Sequence, residues 1–261
     1  MSKLIERLEK VGTVAPTPMG FGASRVAEKA PSLLLVALSE TKSTVPTSHL
    51  QVDSYAIPTG KITKAQLKAA KGIAGDVLWG LWPSTITNDS LDALKREGGD
   101  FFIFSTVDTP AEVLANEELG RVMTVPADFP EDLRHSLEEL PVDAVILAGL
   151  EEASPLSVRD VMQVRSMRDF ISKPLLLLRS HTLNQGELVV LQEVGVQGIV
   201  LDMRTMKIED ATRMQKNIEG LPPRRIKRDQ ADATLPRMSQ RSASPQREEE
   251  EDGEEEEDYD Y

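Results

Sequence analysis

The sequence has no cysteine and only three histidines, His49, His135 and His181, far apart in the chain. The first absence excludes disulfides, thiolate zinc sites, iron-sulfur clusters and cysteine nucleophiles. The second argues against a histidine-rich metal centre, and no metal is expected. No stretch approaches the roughly 18 to 20 uninterrupted apolar residues of a membrane-spanning helix, and Met1 to Lys10 is charged every second or third residue, unlike a secretory leader. These absences predict a soluble, cytoplasmic protein with no membrane partner. Its available chemistry is that of carboxylate, lysine, hydroxyl and imidazole groups.

What the chain does contain is 261 residues, 40% of them hydrophobic, enough for one large domain or two small ones. The net charge of -13 is unevenly spread. The last fourteen residues, Glu248 to Tyr261, hold eleven acids and no base, whereas residues 221 to 247 hold seven Arg or Lys against Asp229 and Asp232. Setting aside that -11 and that +5 leaves residues 1 to 220 at -7. From Pro222 onward apolar residues are isolated among Pro, Ser, Gln and Arg, and cannot bury enough area to offset the entropy of ordering. Residues 222–261 therefore read as a disordered tail, basic and then acidic. Its acidic end suits a basic protein partner or the preceding Pro222-Pro-Arg-Arg-Ile-Lys-Arg228. Nucleic acid is disfavoured by the negative net charge and by the lack of aromatics among these arginines.

Residues 31–221 alternate short apolar runs with amphipathic segments. There are eight runs: Leu33 to Leu38, Val52 to Ile57, Val77 to Trp82, Phe101 to Phe104, Arg121 to Val125, Ala144 to Ala148, Leu175 to Leu178 and Ile199 to Leu201. Their uniform apolarity suits strands of a parallel sheet buried on both faces. Helices are expected between them, among them Ser90 to Glu97, Pro130 to Leu140, Val158 to Ile171, Leu183 to Val194 and Lys207 to Leu221. Gly195 reads as a helix stop. Eight strand-helix units predict a closed (β/α)8 barrel, the TIM-barrel class of α/β fold, with the C-terminal tail outside it. Thr41 to Leu50 is too short and too rich in hydroxyls for a full crossover helix, so an open doubly wound sheet with an extra first strand is the alternative. Residues 1–30 form an N-terminal arm, with Leu4, Ile5, Leu8 and Val11 on one helical stripe suited to covering the barrel bottom. The loop from Pro16 to Gly22, ahead of a short helix at Ala23 to Lys29, reads as a turn tucking that arm in.

Lys173-Pro174-Leu-Leu-Leu-Leu and Gln192-Glu-Val-Gly-Val-Gln-Gly-Ile-Val-Leu-Asp202 resemble the aldolase-type TIM barrels, the second phrase being similar to one common before their eighth strand. The resemblance covers about thirty residues and bears on fold rather than function. It implies a phosphorylated ligand or a flavin cofactor. Where many of those families place glycine-rich turns after strands seven and eight, this chain has Arg179-Ser180-His181 and Met203-Arg204-Thr205.

In such a barrel the functional groups sit at the C-terminal strand ends and the loops that follow. That places Ser39, Glu40, Lys42, Thr59, Lys61, Trp82, Ser84, Ser105, Thr106, Asp108, Asp128, Glu151, Arg179, His181, Asp202 and Arg204 on one rim. Arg179, His181 and Arg204 follow neighbouring strands and form an anion clamp; alternatively the arginines pair with Asp202, Glu151 or Glu40. Glu40 and Asp202 are the candidate catalytic proton acceptors, and Lys42 a substrate-binding cation. Period-two alternation puts the two tryptophans of strand three on opposite faces, with Trp82 at the mouth for stacking and Trp79 under the helices. Two functions follow: a barrel that binds or transforms a small anionic metabolite, and a non-catalytic scaffold whose charged tail makes protein contacts.

Overall fold

A computed structural model describes residues 2–12, 31–40, 50–105, 109–150 and 155–222, which lie within one compact unit, Met1–Arg225. The eight apolar runs become β1 (Leu34–Leu38), β2 (Ser54–Lys61), β3 (Leu78–Thr85), β4 (Phe101–Ser105), β5 (Gly120–Pro126), β6 (Ala144–Ala148), β7 (Leu175–Arg179) and β8 (Gly198–Asp202). Every neighbouring pair is parallel, and the strands form a closed barrel in chain order. Pairing of β1 with β8, from Leu34 opposite Gly198 to Leu38 opposite Asp202, closes it and excludes the open doubly wound alternative.

Strand alternation sorts the apolar residues into two layers. Leu34, Val36, Leu38, Ala56, Phe101, Ile103, Val122, Ala144, Ile146, Leu176 and Val200 fill the barrel, while Leu35, Ala37, Tyr55, Trp79, Leu81 and their counterparts pack outward under the helices. The interior is crowded: a Cβ on Gly80 would lie 2.3 Å from the Phe101 carbonyl oxygen and 2.6 Å from its ring. Glycine there makes room for the Phe101 ring.

The α-helices are α1 (Lys3–Lys10), α2 (Lys64–Ala74), α3 (Asn88–Arg96), α4 (Glu131–Glu139), α5 (Val158–Phe170), α6 (Gln185–Glu193) and α7 (Ile208–Glu219). Their starts follow from their sequences. Capping boxes pair Thr63 with Gln66, Ser157 with Asp160 and Asn184 with Glu187, each satisfying first-turn N–H groups. Gly195, at φ 102°, follows the end of α6 in the left-handed region that stops a helix. Strand-helix alternation is not complete, however. Between β4 and β5 the described chain has a 3-10 turn, Ala111–Ala115, rather than an α-helix. Pro110 and Asn116 bracket too few apolar residues there for a longer element. The connection Thr41 to His49, the loop from Pro16 to Gly22, the helix expected at Ala23 to Lys29 and the tail from residue 223 lie outside the described residues.

At the N-terminal end of the strands, α1 turns Leu4, Ile5 and Leu8 onto the interior layer, with Val11 just beyond it. Asp100, just before β4, receives hydrogen bonds from the Ser2 hydroxyl (2.7 Å), the Lys3 N–H (2.8 Å) and the Leu4 N–H (2.9 Å). A carboxylate at the positive end of α1 thus anchors it across the barrel bottom, leaving the opposite end for ligands. Among the described residues no helix is long and apolar enough to cross a membrane.

Candidate functional site

The C-terminal strand ends differ in length, and this shapes the mouth. Pairing of β1 with β2 stops at Leu38 opposite Ala56, and that of β3 with β4 at Leu81 opposite Phe102. In contrast, β2 and β3 stay paired through Pro58 opposite Trp82 and Thr59 opposite Pro83 to Lys61 opposite Thr85. Pro58 and Pro83 sit beyond the ladders with β1 and β4, where a missing N–H forfeits no bond on those sides. The result is a two-stranded wall above the rim.

Beside this wall lies a concavity of about 560 Å³, lined by Leu38, Glu40, Pro58, Thr59, Gly60, Gln66, Trp82, Pro83, Ser84, Ser105, Thr109 and Arg204. Its volume falls in the range of small-molecule sites. Trp82 packs partly against the interior layer and turns its remainder to the concavity, whereas Trp79 is 4% exposed in the outer layer. Glu40 is exposed and lines the same space.

Arg204 is held by Asp202, the last residue of β8. Its Nε donates to Oδ1 at 2.8 Å, its Nη2 to Oδ2 at 2.6 Å, and its backbone N–H to Oδ1 at 3.0 Å. Asp202 is buried, while the Arg204 side chain remains 43% exposed. The hydrogen bonds to Asp202 raise the Arg204 pKa above its ordinary value; partial burial opposes this, and the charges of Asp202 and Glu40 reinforce it. The guanidinium is therefore a permanent cation whose plane is fixed by a two-pronged carboxylate contact.

Arg179 ends β7 and is 3% exposed. With Asp202, Ser180, Leu178, Leu150 and Gly149 it lines a second cavity of about 40 Å³. His181 is exposed, with Nδ1 3.2 Å from the Ser180 hydroxyl, and lines neither space. Asp202 thus contacts Arg204 and shares the smaller cavity with Arg179, while Glu40, Trp82 and Arg204 share the larger one. Lys61 and Asp128 are exposed, and Lys42, Thr106, Asp108 and Glu151 lie outside the described residues.

Sequence reasoning missed Leu38, Pro58, Gly60, Gln66, Pro83 and Thr109 as lining residues. The prolines lie just beyond the apolar runs that end at Ile57 and Trp82, and the extended β2–β3 ladder makes them strand members. Gln66 did carry a signal, because Thr63-x-x-Gln66 is a capping box and starts α2 beside the mouth.

No protein-family model matches the chain, and a search of curated proteins returned no match. Among solved structures it is similar to mutant tryptophan synthase alpha-subunits from a hyperthermophile, Pyrococcus furiosus. One has a TM-score of 0.54 at 13% identity, covering 72% of this chain and 97% of that chain. Another has a TM-score of 0.53 at 12% identity, covering 73% and 98%. The chain has the aldolase-type TIM-barrel fold. At such identities the likeness is one of fold alone.

In TIM-barrel enzymes the active site occupies the C-terminal face, where this concavity lies. A flavin phosphate would need backbone N–H groups at close approach, for which glycine is suited. Among the described residues, 180–184 after β7 and 203–207 after β8 contain no glycine. The glycine-rich phosphate turn is therefore absent after both strands. Nor, among the described residues, do three or more His, Asp or Glu gather as metal ligands.

Proposed function

We propose that this barrel binds a small anionic metabolite in the mouth concavity, with Arg204 receiving the anionic group and Trp82 covering a flat or apolar part. The observation that carries this reading is a guanidinium held in one orientation by Asp202 at the edge of a ligand-sized space. Both Asp202 oxygens are engaged by Arg204, so its role is to position the cation. Glu40 is then the group available to accept a proton from the ligand.

Charge balance sharpens the expectation. Glu40 brings a negative charge into the concavity that Arg204 lines, so removing that charge should tighten anion binding even as it removes the proton acceptor. Native mass spectrometry of the purified protein identifies any co-purifying metabolite. Titration with inorganic phosphate and a panel of aliphatic and aromatic carboxylates, followed by tryptophan fluorescence, then reports through Trp82. Losing the Arg204 contact should cost about 1.5 kcal/mol, roughly tenfold in affinity, the low end for a charged hydrogen bond because the side chain is partly solvated. Arg204→Met should show that loss, Glu40→Gln the opposite change, and Trp82→Phe no fluorescence response. An anion whose affinity is unchanged in Arg204→Met would refute this site.

A further inference from the structure

The outer face of α2 carries a charge pattern that the barrel itself does not use. The helix reads Lys64-Ala-Gln-Leu-Lys68-Ala-Ala-Lys71-Gly-Ile-Ala74, and it buries Leu67, Ala70 and Ala74. Spacings of four and three residues bring Lys64, Lys68 and Lys71 onto one side, and all three are exposed. Lys61, at the end of β2, is exposed ahead of them. Among the described residues no hydrogen bond or ion pair engages these four side chains. Every other described α-helix contains at least one acid, whereas α2 has none, the next acid being Asp76 beyond Gly75.

This arrangement is unfavourable in the isolated barrel. Lysines at i and i+4 repel one another, and Lys64 lies at the positive end of the helix dipole. Nothing in the packing requires it, since the apolar face of α2 would bury equally well with acids among the exposed positions. An anionic partner turns the same repulsion into attraction.

We propose that the outer face of α2 is a docking surface for an acidic peptide segment of a partner protein. Along the helix the three lysines step by roughly 6 Å and 4.5 Å, while same-side residues of an extended peptide repeat at roughly 6.6 Å. Successive acids of such a segment therefore reach successive ammonium groups. On the side of α3, next in chain order around the ring, the exposed acids Asp89 and Asp92 stand at the start and middle of the helix. That geometry suits a linear peptide and disfavours a flat anionic membrane, which would meet those acids as well. Screening over about 10 Å at 0.1 M salt lets the local strip act independently of the chain's net charge.

The test is fluorescence anisotropy of a labelled polyglutamate peptide against the full chain at low salt and at about 1 M salt, where charges are screened beyond about 3 Å. Three variants at once, Lys64→Gln, Lys68→Gln and Lys71→Gln, should lower low-salt affinity about tenfold, each exposed pair carrying about a factor of two. A charge-matched control, Lys3→Gln with Lys207→Gln and Lys216→Gln, should leave affinity unchanged, with circular dichroism showing both proteins folded. Absence of peptide binding at low salt, or equal losses in the two triple variants, would overturn the proposal. So would phosphatidylserine vesicles binding through the same lysines when the peptide does not.

Discussion

Replacing Asp100 with alanine should loosen the helix that closes the barrel bottom. The carboxylate accepts three hydrogen bonds from the start of α1, two from backbone N–H groups that have no partner inside the helix. Loss of an N-terminal cap costs about 1 kcal/mol, and loss of a negative charge at that end about 0.3 to 1 kcal/mol. The remaining Ser2 contact brings the sum to about 2 kcal/mol, since water can reach the exposed Lys3 N–H but not the buried Leu4 environment. For a domain of this size that is a fall in Tm of about 4 to 8 °C. Calorimetry measures the shift, and hydrogen exchange at Ile5 to Leu8 locates it. Asp100→Asn, which keeps one acceptor oxygen but not the charge, should fall between the two. If Asp100→Ala left both the Tm and α1 exchange unchanged, the anchor would not be what holds the helix in place.

Gly80→Ala should destabilise by about 3 kcal/mol, the upper end for overpacking, because the obstructing atom is a neighbouring strand's carbonyl oxygen; denaturant unfolding measures it, and a loss below about 1 kcal/mol would contradict the crowding. Asp53 has its pKa raised, chiefly by burial, with the hydrogen bond from the Leu35 N–H and the charge of Arg7 opposing. The folded state therefore takes up this proton at higher pH than the unfolded chain, and the group's contribution to stability improves as pH falls from neutral through the raised pKa toward the ordinary value of 3.8. Asp53→Asn should be more stable than the parent at neutral pH, with the difference shrinking toward about pH 4; unfolding midpoints across that range test this, and a constant difference would refute it.

The barrel was legible because it rests on local rules repeated eight times. Leu33 to Leu38 or Ala144 to Ala148 can be buried on both faces only in a covered parallel sheet, and Gly195 marks a helix end from a few adjacent residues. The opposite placements of Trp79 and Trp82 followed from alternation alone. The crossover before β5, whose described residues form a 3-10 turn in place of an α-helix, was not foreseen, because the repeat was extended across a segment whose own residues could not sustain it.

The sequence by itself determined the eight strand segments along the chain and the two-layer alternation, since these depend on period and on neighbours along the chain. Tertiary structure alone decided which of those rim residues meet. Pairing of β1 with β8 closed the sheet; the longer β2 and β3 ladders raised Pro58, Trp82 and Pro83 into a wall; and Asp202 bound Arg204 while His181 turned outward. Such outcomes depend on ladder lengths and side-chain directions set by distant strands, which residue spacing does not encode.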